Sequence, residues 1–145
     1  MGPKALQANG ELADGTLLAL AGPRTIAEFI VPNIGWAATA RGRPSPRVIA
    51  MVSVAVTAGT DTDTETARSA AADSMGIFEM VPSYQKVMAR EGVSKAAQLA
   101  VIGTAESVTR QLRAHLDAGA TEIAVVPLQS GAGDLRYVWD VVATL

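Results

Sequence analysis

The sequence predicts an α/β fold with a parallel sheet, folded as a single domain over residues 1–145. Apolar runs of strand length alternate with longer helical segments, and this alternation implies right-handed crossovers between parallel strands. The run RVIAMVSVAVT, residues 47–57, is almost entirely apolar and rich in β-branched side chains, which is typical of a parallel strand covered on both faces. No low-complexity segment or run of charges divides the chain.

The N-terminal part predicts a helix, a strand and a second helix. Pro3 suits the first turn of a short helix through KALQANGELA, which an Asp-Gly turn ends. The apolar run TLLALA, residues 16–21, predicts a buried strand. Gly22 and Pro23 begin the second helix, which Pro32 interrupts or kinks because proline has no N–H to donate.

The segment after the central strand is predicted to be helical. Thr62 and Glu65 have the spacing of a capping box, which opens a helix after a polar loop. Residues 80–92 predict another helix, and SKAAQLAVIG, residues 94–103, predicts a short one. We therefore expect no strand in this segment.

The C-terminal part predicts a helix, a third strand and a last helix. Val108, Leu112 and Leu116 lie four residues apart, as on one face of a helix. ATEIAVVPL, residues 120–128, predicts the strand that follows. After the glycine-rich QSGAGD, the tail from residue 135 predicts a helix with one apolar stripe. The expected sheet therefore has three strands, and no strand precedes the first helix.

Composition excludes several classes of function. The chain is 49% apolar, 18% charged and 4% aromatic, with a net charge of −2, so it has no basic surplus for nucleic acid. It has no cysteine, which excludes a disulfide framework and thiolate chemistry. The longest apolar stretch is too short to span a bilayer, and no signal peptide precedes the first helix. We expect a cytoplasmic protein with no membrane partner.

Two glycine-proline-basic triplets are the main chemical signal. They are Gly2, Pro3 and Lys4, and Gly22, Pro23 and Arg24, with Thr25 directly after the second. Glycine lets a phosphate approach the backbone, proline sets the first helical turn, and the helix N-terminus favours an anion. Both triplets are therefore candidate sites for a phosphate-bearing cofactor. The alternative is that each is only a helix start, since Gly-Pro begins helices in many folds.

Other polar residues are weaker candidates. Four side chains of one predicted helix could face a ligand or only solvent: Tyr84, Gln85, Lys86 and Arg90. His115, the only histidine, is expected at the surface, remote from the strand ends where parallel α/β proteins place their chemistry. The sequence contains no metal-ligand cluster, Ser-His-Asp set or nucleophile elbow, so no catalytic residue is assigned.

Two further pairs have structural interpretations. Trp36 and Trp139 lie on predicted helices, and we expect them to anchor those helices to the sheet, with stacking on a cofactor as the alternative. Asp61 and Asp63 precede a predicted helix and are expected to cap it.

Four segments resemble one family. They are GPKALQANGELADGT, GPRTIAEFIVPNI, VPSYQKVMAREG and DAGATEIAVVPL, and together they cover nearly the whole chain in order. They resemble the luciferase-like monooxygenase superfamily, and within it the oxidoreductases that use the deazaflavin coenzyme F420 in place of a flavin. The resemblance implies a TIM-type (β/α) barrel of eight strands. This sequence is similar to the C-terminal part only, from the helix after strand five through strands six, seven and eight.

The resemblance also implies a function. Members of this family transfer hydride to or from F420 or flavin mononucleotide (FMN), and the loop after their strand five holds the cofactor's phosphate. That role falls here on Gly2, Pro3 and Lys4. The walls around the cofactor ring come largely from strands one to five, so a single copy of this chain is expected to lack a complete active site.

The predicted sheet also suggests a partner. Three parallel strands with both edges open expose unpaired backbone and an apolar face, so we expect a homo-oligomer, a dimer or larger. Two alternatives to a working oxidoreductase stay open: a non-catalytic, self-associating binding or assembly module, and an inert fragment of a larger barrel enzyme.

Overall fold

The computed structural model describes residues 2–128 and 135–145. The strands are β1 (Gly15–Ala19), β2 (Arg47–Val56), β3 (Val101–Gly103) and β4 (Glu122–Pro127). The helices are α1 (Pro3–Leu12), α2 (Pro23–Thr25), α3 (Val31–Ala40), α4 (Asp61–Met75), α5 (Pro82–Glu91), α6 (Ala105–Asp117) and α7 (Leu135–Val142). The glycine-rich QSGAGD lies outside the described residues.

All described strand pairs are parallel, and β2 is the centre of the sheet. Met51 of β2 pairs with both β1 and β4, so these two strands lie on opposite edges of β2. Val54 pairs with both β3 and β4, so β3 lies on the same edge as β1. The predicted α/β fold with a parallel sheet is therefore confirmed.

The short helix predicted for residues 94–103 is wrong. A 3-10 turn at Ala96–Leu99 leads instead into β3, so the described sheet has four strands. β3 is only three residues long, and it is held by its pairing with the end of β2, where the N–H of Thr57 donates to the carbonyl of Gly103 at 2.8 Å. No local pattern signals so short a strand, because its partner lies far away in sequence.

The helix that begins at Gly22 runs to Ala40 with one interruption. Its middle, Ile26–Ile30, is a π-helical segment, in which the N–H of Val31 donates to the carbonyl of Ile26. The wider π turn lies directly before Pro32, whose missing N–H cannot continue the α-helical ladder. The predicted interruption at this proline is confirmed.

The prediction of a capping box at Thr62 and Glu65 is wrong, because α4 begins two residues earlier than expected. The side chain of Thr60 caps α4 and accepts the N–H of Asp63 at 3.1 Å, so Thr62 already lies inside the helix. Asp61 and Asp63 do not cap α4 but lie in its first turn, where acidic side chains complement the helix dipole.

Two apolar clusters hold the molecule together. The first lies between the sheet and helices α1, α3, α6 and α7, and it includes Leu6, Ile34, Leu112 and Val138. The second joins the carboxyl-terminal ends of the strands to α4 and α5. We call the α4–α5 layer the cap, because it covers the carboxyl-terminal edge of the sheet.

Several apolar side chains remain exposed. Trp36 and Trp139 are 70% and 50% exposed, so the prediction that they anchor their helices to the sheet is wrong. Leu17 of β1 and Val126 of β4 are 54% and 42% exposed. They lie on the face of the sheet opposite the first cluster, and we call it the open face. Among the described helices, none is long and apolar enough to cross a membrane.

Candidate ligand pocket at the carboxyl-terminal edge of the sheet

A cavity of about 500 Å³ lies between the carboxyl-terminal part of the sheet and the cap. We call it the mouth pocket, and its walls come from the three longer strands, from α4 and from the turn after it. Representative wall residues are Leu20, Met51, Met75, Phe78, Val126 and Leu128. Parallel α/β folds place their ligands at this edge, so the position is that of a functional site.

The polar groups of the mouth pocket are few. None of its described lining side chains carries a fixed charge, and the polar ones are Ser53, Ser74 and His115. The hydroxyl of Ser74 donates to the carbonyl of Ala71 at 3.3 Å. An apolar cavity with a few convergent polar groups suits a small molecule.

A gap in the sheet connects the pocket to the helix layer. β1 ends at Ala19 and β3 begins at Val101, so Val52 and Ser53 have no partner strand on that edge of β2. Leu20, directly after β1, has a φ of 61°, a conformation that non-glycine residues seldom adopt. Such local strain is often found at functional sites.

His115 lies behind this gap, and the prediction that it is a surface residue is wrong. It is 5% exposed, and its Nδ1 lies 2.9 Å from the carbonyl oxygen of Gln111. With Val108 and Leu112 it forms the buried face of α6, whereas Leu116 is only partly buried. The helical period of 3.6 residues places position 115 on that face, and this signal could have identified it from the sequence.

The second triplet already has an anion of the protein at its helix start. The backbone N–H of Thr25 donates to Glu91 Oε1 at 2.6 Å, and a Cβ added to Gly22 would lie 2.7 Å from Glu91 Oε2. Arg24 pairs instead with Glu28 at 3.2 Å, on the surface. The carboxylate of Glu91 therefore occupies the position where a phosphate was expected. No sequence pattern had indicated this residue.

The first triplet is unobstructed. Gly2 is exposed in an extended conformation with φ −101°, and among the described residues no side chain caps α1 and none lies within 4 Å of a Cβ added to Gly2. Lys4 is also exposed. This helix start has the space that a phosphate needs.

Both triplets lie toward the same edge of the sheet. α1 ends just before β1 begins and α3 ends before β2 begins, so both helices end toward the amino-terminal edge of the sheet, and they pack against each other with Gly10 beside Ile34 and Ala37. The start of α1 and the start of the Gly22 helix are therefore both directed toward the carboxyl-terminal edge, although neither lines the mouth pocket.

The four polar candidates on α5 separate into two pairs. Tyr84 and Arg90 line a smaller cavity of about 250 Å³ together with Thr25, whose hydroxyl is buried and has no hydrogen-bond partner among the described residues. The Arg90 guanidinium lies 3.7 Å above the ring of Phe29. Gln85 and Lys86 are exposed and line no cavity described here.

The resolved pKa shifts lie away from the mouth pocket. The hydrogen bond from Arg47 lowers the pKa of Glu122, and that from Lys95 lowers the pKa of Glu79. Both are exposed ion pairs between structural elements. Within residues 2–128 and 135–145, no three acidic or histidine side chains are grouped as metal ligands would be.

No protein-family model matches this sequence, and no curated protein matches it. Solved structures do match, among them two F420-dependent enzymes. One is an F420-dependent secondary alcohol dehydrogenase in complex with an F420-acetone adduct, with 19% identity, a TM-score of 0.73, and 99% of this chain covered. The other is the coenzyme F420-dependent tetrahydromethanopterin reductase from Methanopyrus kandleri, with 22% identity, a TM-score of 0.63, and 97% of this chain covered.

The match covers only part of each of these enzymes, 45% of the dehydrogenase and 46% of the reductase. The resemblance inferred from the sequence is confirmed at the level of the fold. Over less than half of their length, this chain shares the fold of these two F420-dependent enzymes.

Proposed function

We propose that this chain is the C-terminal part of a barrel oxidoreductase that transfers hydride with F420 or FMN, and that the start of α1 holds the cofactor's phosphate. The observation that supports this site is the open start of α1, where no described side chain caps the helix and no described residue lies within 4 Å of a Cβ at Gly2. The fold shared with two F420-dependent enzymes supports the choice of cofactor.

The chemistry of the helix start fits a phosphate. The first backbone N–H groups of a helix have no partner within the helix, and its N-terminus carries a partial positive charge. Lys4, two residues after Gly2, adds a full positive charge in the first turn of α1. Together these groups bind and orient an anion without any change in the backbone.

The second triplet plays a lesser part in this proposal. A phosphate at Gly22, Pro23, Arg24 and Thr25 would first have to displace the Glu91 carboxylate from the N–H of Thr25. We therefore place the phosphate at Gly2, Pro3 and Lys4, and we propose the second triplet only as a contact that opens when Glu91 moves.

The mouth pocket is proposed to hold the substrate beside the cofactor. When bound, F420 or FMN supplies a ring that accepts or donates hydride, and the protein binds, orients and shields it. The apolar walls of the mouth pocket exclude water from a ligand inside it. Because the chain spans less than half the length of the matched enzymes, we expect full activity to need the missing strands or a second copy.

The test is a fluorescence titration of the purified chain with F420 and, separately, with FMN. We expect saturable binding that Gly2→Asp weakens by about tenfold or more, because its carboxylate repels the phosphate. Gly2→Asn is the matched control, since it has nearly the same size without the charge. Both variants fit the open space at φ −101°, and both side chains can cap α1, so the helix stays intact. Because both compete equally for the backbone N–H groups, the difference between them reports the charge.

Two results would contradict the proposal. One is the absence of saturable binding to either cofactor up to millimolar concentration. The other is equal weakening by Asp and Asn, which would show that the charge at residue 2 does not face the ligand. The ratio of the two affinities in the unsubstituted chain decides between F420 and FMN.

A second candidate function is a self-associating assembly module without catalysis. The observation that favours it is the open face, where Leu17 and Val126 remain exposed on β1 and β4, the two strands that flank β2. Burying such side chains against a second copy would remove apolar surface from water.

A further inference from the structure

We propose that the mouth pocket binds an uncharged, mainly apolar molecule bearing a hydroxyl group, and that Nε2 of His115 accepts the hydrogen bond from that hydroxyl. This inference rests on the pocket assigned above as the substrate site. Its test uses no cofactor, so its failure is distinguishable from failure of the cofactor proposal.

The hydrogen bond of His115 determines its tautomer. Nδ1 lies 2.9 Å from the carbonyl oxygen of Gln111, and a carbonyl can only accept. Nδ1 is therefore the donor of this hydrogen bond, and in that tautomer Nε2 is an acceptor. Among the described residues, no group donates to Nε2. A ligand with an O–H group would supply that donor.

The walls of the pocket exclude a charged ligand. None of its described lining side chains bears a fixed charge, and burying an unpaired charge among apolar side chains is strongly unfavourable. Ser53 and Ser74 add hydroxyl groups, but the hydroxyl of Ser74 already donates to Ala71. The combination of apolar walls with a few uncharged polar groups, among them Nε2 of His115, favours an apolar body that carries a hydroxyl group.

His115 also borders a second, smaller cavity of about 280 Å³, which includes Glu91 and Ala114. That cavity holds a carboxylate that is already bonded to the N–H of Thr25. We assign the ligand to the mouth pocket, which is larger and has no carboxylate among its described lining residues. The two cavities can be filled separately, because Ala70 lines the first and Ala114 the second.

The first measurement is nuclear magnetic resonance of the single histidine, whose signals need no assignment among others. Phenol and benzene are the probes, because they share a ring and differ by one hydroxyl. We expect phenol to shift the ¹⁵Nε2 resonance and to bind about tenfold more tightly than benzene. Equal affinity for the two, an unmoved Nε2 resonance, or no binding of either would overturn the proposal.

Substitutions identify the contact atom. His115→Asn keeps an amide N–H near the carbonyl of Gln111 but removes the acceptor at the ε position, so we expect it to lose the preference for phenol. His115→Gln restores an acceptor at that position and should keep part of the preference. A preference that survives in the Asn variant would contradict the assignment to Nε2.

Filling each cavity locates the ligand. Ala70→Leu should abolish phenol binding, whereas Ala114→Leu should leave it within about twofold of the unsubstituted chain. Both sites are on helices, where leucine is well tolerated, and circular dichroism checks that both variants fold. The reverse pattern would place the ligand in the smaller cavity and overturn the proposal.

Discussion

At the scale of single residues, Glu91 joins two helices that are far apart in sequence. It is the last residue of α5, and its carboxylate accepts the N–H of Thr25 at the start of the Gly22 helix, 66 residues away. The side chain thus does for this helix what an N-cap residue does, although it comes from another element. Gly22 permits the contact, because a Cβ there would collide with the carboxylate.

We predict that Glu91→Ala lowers the free energy of unfolding by about 1–2 kcal/mol, because it leaves a helix N-terminus without its acceptor. Glu91→Gln keeps an acceptor oxygen and should cost less. Urea denaturation at equilibrium measures both. The control is Glu65→Ala, whose exposed carboxylate lies 3.9 Å from Arg68 and should change stability by less than about 0.5 kcal/mol. Equal effects at positions 91 and 65 would contradict the capping role.

At the scale of elements, close packing joins α1 to α3. Gly10 of α1 lies against the backbone of α3, and a Cβ added there would be 2.5 Å from the carbonyl oxygen of Ile34 and 2.7 Å from Ala37 Cβ. Ordinary contacts are longer, so any larger residue must push the two helices apart. Glycine at this position sets the distance between α1 and α3.

We predict that Gly10→Ala destabilises the protein by about 1–3 kcal/mol, because the overpacking outweighs alanine's better helix propensity. Gly35→Ala is the matched control, since Gly35 lies within α3 and nothing is within 4 Å of an added Cβ. It should stabilise the protein by about 0.5–1 kcal/mol. Thermal and urea unfolding give both values, and a stabilising Gly10→Ala would show that the helices separate at little cost.

The strands β2 and β4 are joined at their first residues by an ion pair. Arg47 Nε and Glu122 Oε1 lie 2.6 Å apart, and the second nitrogen and oxygen of the pair are also in contact, as in a bidentate arrangement. The pairing lowers the pKa of Glu122 below its value in the unfolded chain. Its contribution to stability is therefore present above the unfolded pKa and is lost as the pH falls through the folded pKa.

We predict that stability decreases on acidification below about pH 4.5 and that Glu122→Gln reduces this decrease, because glutamine does not titrate. The urea midpoint, measured near pH 6 and near pH 3.5, gives the pH dependence of both proteins. An identical acid-induced decrease in the two proteins would show that the ion pair contributes nothing. High salt should weaken the effect in the unsubstituted chain, since both partners are exposed.

At the scale of the whole molecule, the two faces of the sheet differ. One face is covered by α1, α3, α6 and α7, and the other is covered only toward the cap, by the walls of the mouth pocket. Leu17 and Val126 remain exposed on the open face. In a closed barrel this face would be the interior, which side chains from all strands fill.

We predict that the chain self-associates through the open face. The double variant Leu17→Thr and Val126→Thr should raise the dissociation constant by about tenfold or more, because it removes apolar contact while threonine keeps the strand conformation. Sedimentation equilibrium measures the constant. Leu12→Thr is the control, because Leu12 is exposed but lies on α1. A monomeric unsubstituted chain, or equal effects of the two changes, would refute the prediction.

The sequence by itself determined the elements whose signals are local. The apolar runs at 16–21, 47–57 and 120–128 correspond to β1, β2 and β4. A short, continuous apolar run between two helices is typical of a buried parallel strand. The interruption at Pro32 and the two Gly-Pro helix starts were equally predictable, because they follow from the chemistry of proline and glycine.

Only the tertiary structure decided what depends on residues distant in sequence. β3 exists because the end of β2 pairs with it, and Glu91 caps a helix that begins 69 positions earlier, at Gly22. The helical period indicates that His115 lies on the buried face of α6, but the gap between two strands that this face covers depends on residues distant in sequence. Contacts between residues distant in sequence thus determine the surroundings of the candidate pocket. The local sequence determines the strands and helices on which those residues lie.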